Sequence, residues 1–236
     1  MVVALWSSRV PGETAPAELI IDRFSKENQT GEPPRGWQEL TFKKIKNHTR
    51  YTVIQEGSNS CLRAESHKSA SGIFKEVTVS AKEYPILRWR WKVEGVLEKA
   101  DAVKKSGDDY AARIYVAFKY DPETAGAWEK AKYGAAKALY GKYPPKGALN
   151  YVWDNRLPAG TTIDNAYTDR AKMIVVKSGK EKVGKWVSEE ANVYEDYRKL
   201  FGVEPPEIEF IAIMTDTDNT GESAVAYFDD IVLKTR

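Results

Sequence analysis

The feature that most constrains the fold is a stretch in which apolar and basic residues alternate without a break, Leu87-Arg88-Trp89-Arg90-Trp91-Lys92-Val93. Successive side chains of a β-strand point to opposite faces, so this alternation places all the apolar residues on one face and all the cations on the other. The pattern therefore predicts a half-buried strand, and we expect its two tryptophans to pack in a core.

Further short strands are predicted along the chain, each bounded by glycine, proline or polar turn residues. They cover residues 18–24, 37–42, 51–55, 61–66, 73–79, 111–118, 148–153, 171–177, 208–215, 224–228 and 230–233. Gly57-Ser58-Asn59 predicts a hairpin between two of these strands. The segment 208–215 is apolar on both faces, which predicts a central, buried strand.

Two helices interrupt the series of strands. Asp121 and Pro122 suit a helix start, and alanine-rich sequence continues to about Tyr140. Residues 193–201 form a shorter helical pattern that Gly202 closes. Most other connections are too short for the crossover helices of a parallel α/β fold.

These patterns predict an all-β fold, a two-sheet antiparallel jelly-roll sandwich. It carries a helical insertion near 122–141 and a short helix near 193–201. We expect residues 1–17 to form an N-terminal loop segment and residues 18–236 to form a single β-sandwich domain.

Composition removes several classes of function. The 36 basic and 34 acidic residues leave a formal charge of +2, which gives no global field for a nucleic acid. A lone cysteine, Cys61, and two histidines argue against a disulfide framework and the usual zinc sites. No apolar run is long enough to span a bilayer, and no nucleophile elbow or glycine-rich phosphate loop occurs.

The polar faces of two predicted strands form the first candidate site. If the strands 87–93 and 111–118 share one sheet, their outward side chains line a groove with acids at its rim. Guanidinium groups, carboxylates and aromatic rings suit sugar hydroxyls or uronate carboxylates. The alternative is an ordinary solvated sheet face. The residues concerned are Arg88, Arg90, Asp108, Asp109, Arg113 and Tyr115.

The second candidate is the oxygen-rich segment Asp216-Thr217-Asp218-Asn219-Thr220-Gly221. Clustered oxygen atoms with a glycine are typical of a calcium loop, although position twelve of an EF-hand loop would fall on Tyr227, which has no carboxylate. The other interpretations are a polar turn held by its own side chains, or ligand binding by Asp216, Asp218 and Asn219 in the same groove.

Two further candidates lie at the chain ends and in the loops. If the first and last strands are neighbours, Asp22 and Asp230 are placed to share a structural calcium, unless they are two unconnected surface acids. Trp153-Asp154-Asn155 and Asp164-Asn165-Ala166-Tyr167 would form a loop wall over the groove, with Trp153 as a ligand contact, or else ordinary ordered loops.

Four motifs together resemble the bacterial domain-of-unknown-function family 3047, over about residues 24–233. They are Tyr84-Pro85-Ile86-Leu87-Arg88-Trp89-Arg90-Trp91, Asp108-Asp109-Tyr110-Ala111-Ala112-Arg113, Leu149-Asn150-Tyr151-Val152-Trp153 and Thr215-Asp216-Thr217-Asp218-Asn219-Thr220-Gly221. The resemblance implies an exported, periplasmic or secreted protein without assigned activity. More loosely, the segments near the chain ends look like those of jelly-roll carbohydrate-binding modules and galactose-binding-like domains, an analogy of fold only. These segments are Ile21-Asp22-Arg23-Phe24 and Phe228-Asp229-Asp230-Ile231.

We therefore expect a non-catalytic glycan-binding module whose partner is a poly- or oligosaccharide. The alternatives are a jelly-roll polysaccharide lyase or hydrolase that uses Tyr115, Arg113 and one of the acids, and an envelope protein whose polar face contacts another protein. The residues favour a binding module over an enzyme, since the histidines and the cysteine lie in no recognisable catalytic pattern.

Overall fold

Thirteen β-strands, two α-helices and two single turns of 3-10 helix make up the regular structure of residues 16–26, 34–140 and 143–236, which the computed structural model describes. The strands are β1 (Glu18–Asp22), β2 (Gln38–Leu40), β3 (Arg50–Glu56), β4 (Asn59–His67), β5 (Ala70–Val79), β6 (Ile86–Val93), β7 (Ala112–Phe118), β8 (Gly147–Asp154), β9 (Thr162–Asn165), β10 (Thr168–Ser178), β11 (Val187–Asn192), β12 (Ile208–Asp216) and β13 (Ser223–Lys234). The helices are α1 (Ala127–Tyr140) and α2 (Val193–Phe201).

The strands form two sheets. The six-stranded sheet has the order β11-β6-β13-β4-β3, with β1 also paired to β13, and the seven-stranded sheet has the order β2-β5-β12-β7-β8-β10-β9. The chain passes back and forth between the sheets, which is the arrangement of a jelly-roll sandwich, so the predicted fold class is confirmed. One pair departs from the antiparallel expectation, because β8 and β10 run parallel and β9 forms a hairpin on the far edge of β10.

The apolar faces of both sheets meet in a shared core. Trp89 and Trp91 of β6 are fully buried there, and Trp91 contacts Trp153 of β8 with ring centres 6.0 Å apart. Burying one large apolar side chain stabilises the fold by about 1.5–3 kcal/mol, so this aromatic layer is a major contribution. The segment predicted to be central, β12, lies between β5 and β7.

Some element boundaries differ from the sequence prediction. β9 and β11 were missed because their side chains are mostly polar and half-exposed. Helix α1 begins at Ala127 because the Asp121 carboxylate instead accepts the Glu123 N–H at 2.8 Å in a preceding turn. Helix α2 has the predicted bounds, with Gly202 in the left-handed conformation at its end.

The first and last strands are neighbours as expected, since β1 pairs antiparallel with the end of β13. Most of the predicted N-terminal loop, residues 1–17, lies outside the described residues. Within the described part of the chain, no helix combines the length and apolar character needed to cross a membrane.

Candidate functional site

Three connections converge on one group of side chains and bring together most of the predicted ligand-binding residues. They are the loop that precedes β7, the β12–β13 turn and the β9–β10 hairpin. The Asn165 side-chain amide donates to the Asp108 carboxylate at 3.0 Å, and the Tyr167 hydroxyl lies 2.9 Å from Asn219 Oδ1. We call this group the acidic site and define it as Asp108, Asp109, Arg113, Asn165, Tyr167, Asp216, Asp218 and Asn219.

In the β12–β13 turn, the acids and the threonines lie on opposite sides, because successive side chains alternate along the chain. Thr215 and Thr217 are fully buried, and the Thr217 hydroxyl lies 2.8 Å from the Ser66 hydroxyl in the sandwich interior. Gly221, with a φ of 68°, donates its N–H to the Thr217 carbonyl and closes the turn. Asp216 and Asp218 therefore project to the opposite side, toward the acidic site.

Asp109 holds this turn in place. Its Oδ2 accepts the Thr220 N–H at 2.6 Å, and its Oδ1 accepts both the backbone and the side-chain N–H of Asn219 at 3.3 and 3.1 Å. The side chain is 1% exposed. Charge-assisted bonds of this kind are stronger than neutral ones, so Asp109 fixes the loop before β7 to the β12–β13 turn.

A buried ion pair between Arg113 and Asp216 lies beneath the acidic site. Ala112 and Ile114 face the core, so Arg113 points to the outer face of the seven-stranded sheet, where the rings of Tyr110 and Tyr115 lie 5.1 and 5.3 Å from its guanidinium carbon. Burial alone would lower the pKa of Arg113, but the negative charge of Asp216 raises it by more. The pKa therefore lies above its usual value, and the guanidinium stays protonated.

Several polar atoms around this ion pair lack partners among the described residues. Arg113 Nε and Nη1 and Asn150 Oδ1 are buried and accept or donate no hydrogen bond within that part of the chain. Arg113 and Asn150 are 4% and 0% exposed. Buried groups of this kind usually bind a water molecule or a ligand atom, which makes them relevant to function.

Three acids of the site have weakened acidity. Burial raises the pKa of Asp108 and Asp218, and the nearby charge of Asp109 adds to the rise, while amide or backbone donors and the charge of Arg113 only partly oppose it. Burial also raises the pKa of Asp216, and the charge of Arg113 opposes this shift. One carboxylate oxygen from each of Asp109, Asp216 and Asp218 lies within 4.8 Å of the others. The negative charges are thus crowded, and calcium at this cluster stays a prediction.

Tyr167 presents an exposed aromatic face beside the acids. The residue is 56% exposed, although its hydroxyl also lies 3.0 Å from the Lys105 carbonyl and is thereby fixed. The Lys105 ammonium lies 5.5 Å from the centre of the ring. Burial and then the charges of the four aspartates raise the pKa of Tyr167, so its hydroxyl lies within the electrostatic range of all four carboxylates.

The predicted loop wall is partly present. Asn165 and Tyr167 of the β9–β10 hairpin belong to the acidic site, whereas Asn155 uses its amide to bind the carbonyls of Leu97 and Ala100 at 2.6 and 3.1 Å. Asn155 thereby supports the loop before β7. Trp153 lies in the core, 1% exposed, with its indole N–H donating to the Gly179 carbonyl, so it does not join the site.

Arg88 and Arg90 lie on the other side of the molecule. The expectation that β6 and β7 share a sheet is wrong, because β6 pairs with β11 and β13 in the six-stranded sheet. Arg90 pairs with Asp229 at 2.5 Å and Asp230 at 3.1 Å, and Arg88 lies 3.6 Å from Glu18. The two arginines therefore cannot line one groove with Arg113.

The acids at the chain ends have protein cations as partners. Asp22 accepts the Trp37 indole N–H at 2.7 Å and the Lys75 ammonium at 3.1 Å, while Asp230 pairs with Arg90. Asp22 faces Ile231 across the β1–β13 ladder, so the predicted neighbourhood is correct. Calcium between these two acids stays a prediction.

The sequence pattern assigns no ligand contact to Tyr110 or Asn150, and it places Asn165 and Tyr167 in the loop wall without naming them as ligand contacts. Asn165 ends the short polar strand β9 and Tyr167 lies in the tight turn before β10, so a hairpin prediction there would have grouped them. Asn150 has no such signal, because only its register opposite Tyr115 on β7 brings it to the outer face.

The sequence matches the family described as "Protein of unknown function (DUF3047)" over residues 35–232. A search of curated proteins found no significant match.

Several solved structures are similar in fold at low identity. A family 11 carbohydrate-binding module of the cellulosomal cellulase Lic26A-Cel5E from Clostridium thermocellum is 10% identical, with 93% of this chain and 95% of that chain covered and a TM-score of 0.46. A family 28 carbohydrate-binding module specific for non-crystalline cellulose is 12% identical over 93% of each chain, with a TM-score of 0.41. Endoglucanase 3 from Trichoderma harzianum is 9% identical over 88% and 97% of the chains, with a TM-score of 0.42.

Proposed function

The chain belongs to the DUF3047 family, which is named for its unknown function, and we propose that it is a glycan-binding module that holds its ligand at the acidic site. The observation that carries the proposal is the exposed ring of Tyr167, fixed beside the carboxylates and amides of Asp108, Asn165, Asp218 and Asn219. An aromatic face packs against the C–H face of a sugar ring, while carboxylates and amides bind its hydroxyls.

The rigidity of the site supports binding. Tyr167, Asn165 and Asn219 each have a hydrogen bond to another connection of the site, so their side chains are positioned before a ligand arrives. A preorganised surface loses less conformational entropy on association than a mobile one. In this proposal the protein acts in the periplasm or outside the cell, where polysaccharides are accessible.

A lyase that uses Tyr115 and Arg113 is the weaker candidate. Burial raises the pKa of Tyr115 to about 12, which makes it a poor base at neutral pH. Arg113 is already paired with Asp216 and is therefore not free to neutralise a uronate carboxylate.

A hydrolase has one specific observation in its favour. The raised pKa values of Asp108 and Asp218 are typical of a carboxylic acid that donates a proton to a leaving group. Asp218→Asn separates the two functions, since it would abolish turnover in a hydrolase. Release of reducing ends from any bound polysaccharide, lost in this variant, would favour the enzyme.

The binding proposal is tested with a glycan array followed by affinity electrophoresis on the best ligand. We expect Tyr167→Ala to weaken binding about tenfold or more, since it removes the stacking face, and Tyr167→Phe to bind nearly as the wild type. Trp128→Ala is a matched control, because Trp128 on α1 is 83% exposed and lies outside the acidic site. Absence of binding to every glycan, or an unaffected Tyr167→Ala variant, would contradict the proposal.

A further inference from the structure

The acidic site has an excess of negative charge that the protein itself does not balance. Among the ion pairs of the described residues, the contact of Arg113 with Asp216 is the one that its four carboxylates make. Asp108 is bonded by an amide of Asn165, and Asp218 by an amide of Asn219. Amide donors stabilise a carboxylate without cancelling its charge, so a cationic ligand group gains Coulomb energy here.

A cation already lies at the exposed ring. The Lys105 ammonium is 5.5 Å from the centre of the Tyr167 ring, within the range of a cation–π contact, and Lys105 is exposed and can move aside. The same ring is next to the uncompensated carboxylates. An ammonium group on a ligand would therefore be attracted by the ring and by the acids together.

A second, independent observation indicates a ligand with oxygen acceptors. Arg113 is 4% exposed and reaches the acidic site through its contact with Asp216, yet its Nε and Nη1 N–H groups have no partner among the described residues. Because both atoms are buried, a sugar hydroxyl would accept from them through a bridging water. The unmet groups thus require oxygen atoms, while the acids require positive charge.

An amino sugar combines both kinds of group. We propose that the acidic site selects glycan units that carry a protonated amine, with the ammonium bound between Asp108, Asp218 and the Tyr167 ring. This inference rests on the proposed glycan-binding function and names its ligand class. Uronic acids are disfavoured, because their carboxylate would face four others and because Arg88 and Arg90 lie on the opposite sheet.

The test compares three tetrasaccharides by isothermal titration calorimetry at about pH 6, namely fully deacetylated chitosan, N-acetylated chitin and galacturonate. We expect the chitosan tetrasaccharide to bind the wild type at least about tenfold more tightly than the other two, the effect of one additional charge-assisted contact. Its affinity falls as sodium chloride is raised, because exposed charges are screened.

Variants assign the preference to the site. Asp218→Asn removes one charge while keeping the shape, and we expect it to reduce chitosan binding about tenfold with little change for acetylated chitin. Asp108→Asn serves as the second variant, with a thermal melt to confirm folding of both. Glu207→Gln is the matched control, since it removes an exposed charge immediately before β12, far from the strand end that carries Asp216.

The outcomes separate this inference from the function on which it rests. Equal or tighter binding of acetylated chitin or galacturonate would overturn amine selection and leave glycan binding intact. Absence of binding to all three tetrasaccharides, together with a blank glycan array, would overturn both. If both Asp218→Asn and Asp108→Asn keep the preference for chitosan, the amine binds elsewhere, and the proposed position in the acidic site is wrong.

Discussion

At the scale of single residues, the acidic site depends on buried charged side chains that would destabilise the fold without their partners. Arg113 and Asp216 are both nearly inaccessible to solvent, and each compensates the charge of the other. Asp216 also accepts the Tyr110 N–H at 3.3 Å, so the pair connects the loop before β7 to β12. Removing one partner leaves a buried charge without compensation, which costs more than the pair contributes.

Arg113→Met is therefore expected to lower the free energy of unfolding by about 3–5 kcal/mol. Adding Asp216→Asn should restore a large part of this loss, because the second change removes the uncompensated charge. Urea denaturation of the two single variants and the double variant measures the coupling. A double variant as unstable as the sum of the single changes would contradict the argument.

The raised pKa of Asp218 leads to a second prediction at this scale, on how the stability of the protein depends on pH. Its folded pKa is raised above the unfolded value of about 3.9, so the folded state binds the proton more tightly than the unfolded state. This contribution to stability is fully present below the unfolded pKa and is lost as pH rises through the folded pKa. We expect Asp218→Asn to match the wild type near pH 4 and to be the more stable protein near pH 8, by thermal melting. A stability difference that does not change with pH would contradict the raised pKa.

At the scale of elements, the loop between β6 and β7 sets the geometry of the site. Gly107 packs against Asp101, and the Gly107 carbonyl accepts the Asp101 N–H at 2.8 Å. A Cβ atom at this glycine would lie 2.6 Å from the Asp101 backbone nitrogen, closer than real contacts allow. Asp108 and Asp109 follow directly, so this close approach positions both acids.

Gly107→Ala is expected to destabilise the protein by about 1–3 kcal/mol and to weaken glycan binding, because the loop must shift to make room. Gly95→Ala, in the same loop, is the control, since nothing lies within 4 Å of a Cβ atom there. Chemical denaturation and calorimetry measure the two effects. Equal stability of the two variants would show that the loop absorbs the extra methyl group.

Asp109 gives a prediction for the β12–β13 turn. Asp109→Ala removes the acceptor of the Asn219 and Thr220 N–H groups, and we expect both amides to exchange hydrogen faster while the amides of β12 stay protected. Hydrogen exchange measured by NMR resolves the individual amides. Unchanged exchange at both positions would mean that the threonines of the turn hold it without Asp109.

At the scale of the whole molecule, the acids at which calcium was predicted, on the first and last strands, pair with protein cations. Lys75 on β5 pairs with Asp22 on β1, and this contact ties the first strand of the six-stranded sheet to the seven-stranded sheet. Asp230, with a φ of 51°, pairs with Arg90 at the bulge of β13. The first and last strands are thus each held by an ion pair to another strand.

Calcium bound between Asp22 and Asp230 would compete with Lys75 and Arg90, and it would raise the melting temperature, because a ligand that binds the native state stabilises it. Differential scanning fluorimetry measures this. A rise in melting temperature with calcium that disappears in Asp230→Asn would assign the calcium to the acids of the first and last strands. A rise that disappears in Asp218→Asn would instead assign the metal to the acidic site.

The sequence alone determined the local properties of the chain. The alternation around Trp89 and Trp91 gave a strand with both rings in the core, and the two-sided apolar pattern of 208–215 gave a central strand, because burial of each face depends on the residue types of that strand. Gly202 predicted the end of α2, and the Asp216–Gly221 segment indicated a polar turn rich in oxygen atoms that bind metals or ligands. Both patterns are local, since the residues that form a turn lie within a few positions of one another.

Only the tertiary structure decided which polar faces meet. β6 and β7 are consecutive in the chain and alternate in a similar way, yet they pair with different strands, so the core separates Arg88 and Arg90 from Arg113. Strand pairing depends on contacts between residues far apart in sequence, and an alternating pattern specifies only that one face is buried. The acidic site likewise forms from three connections about fifty residues apart or more, and no local signal records that proximity.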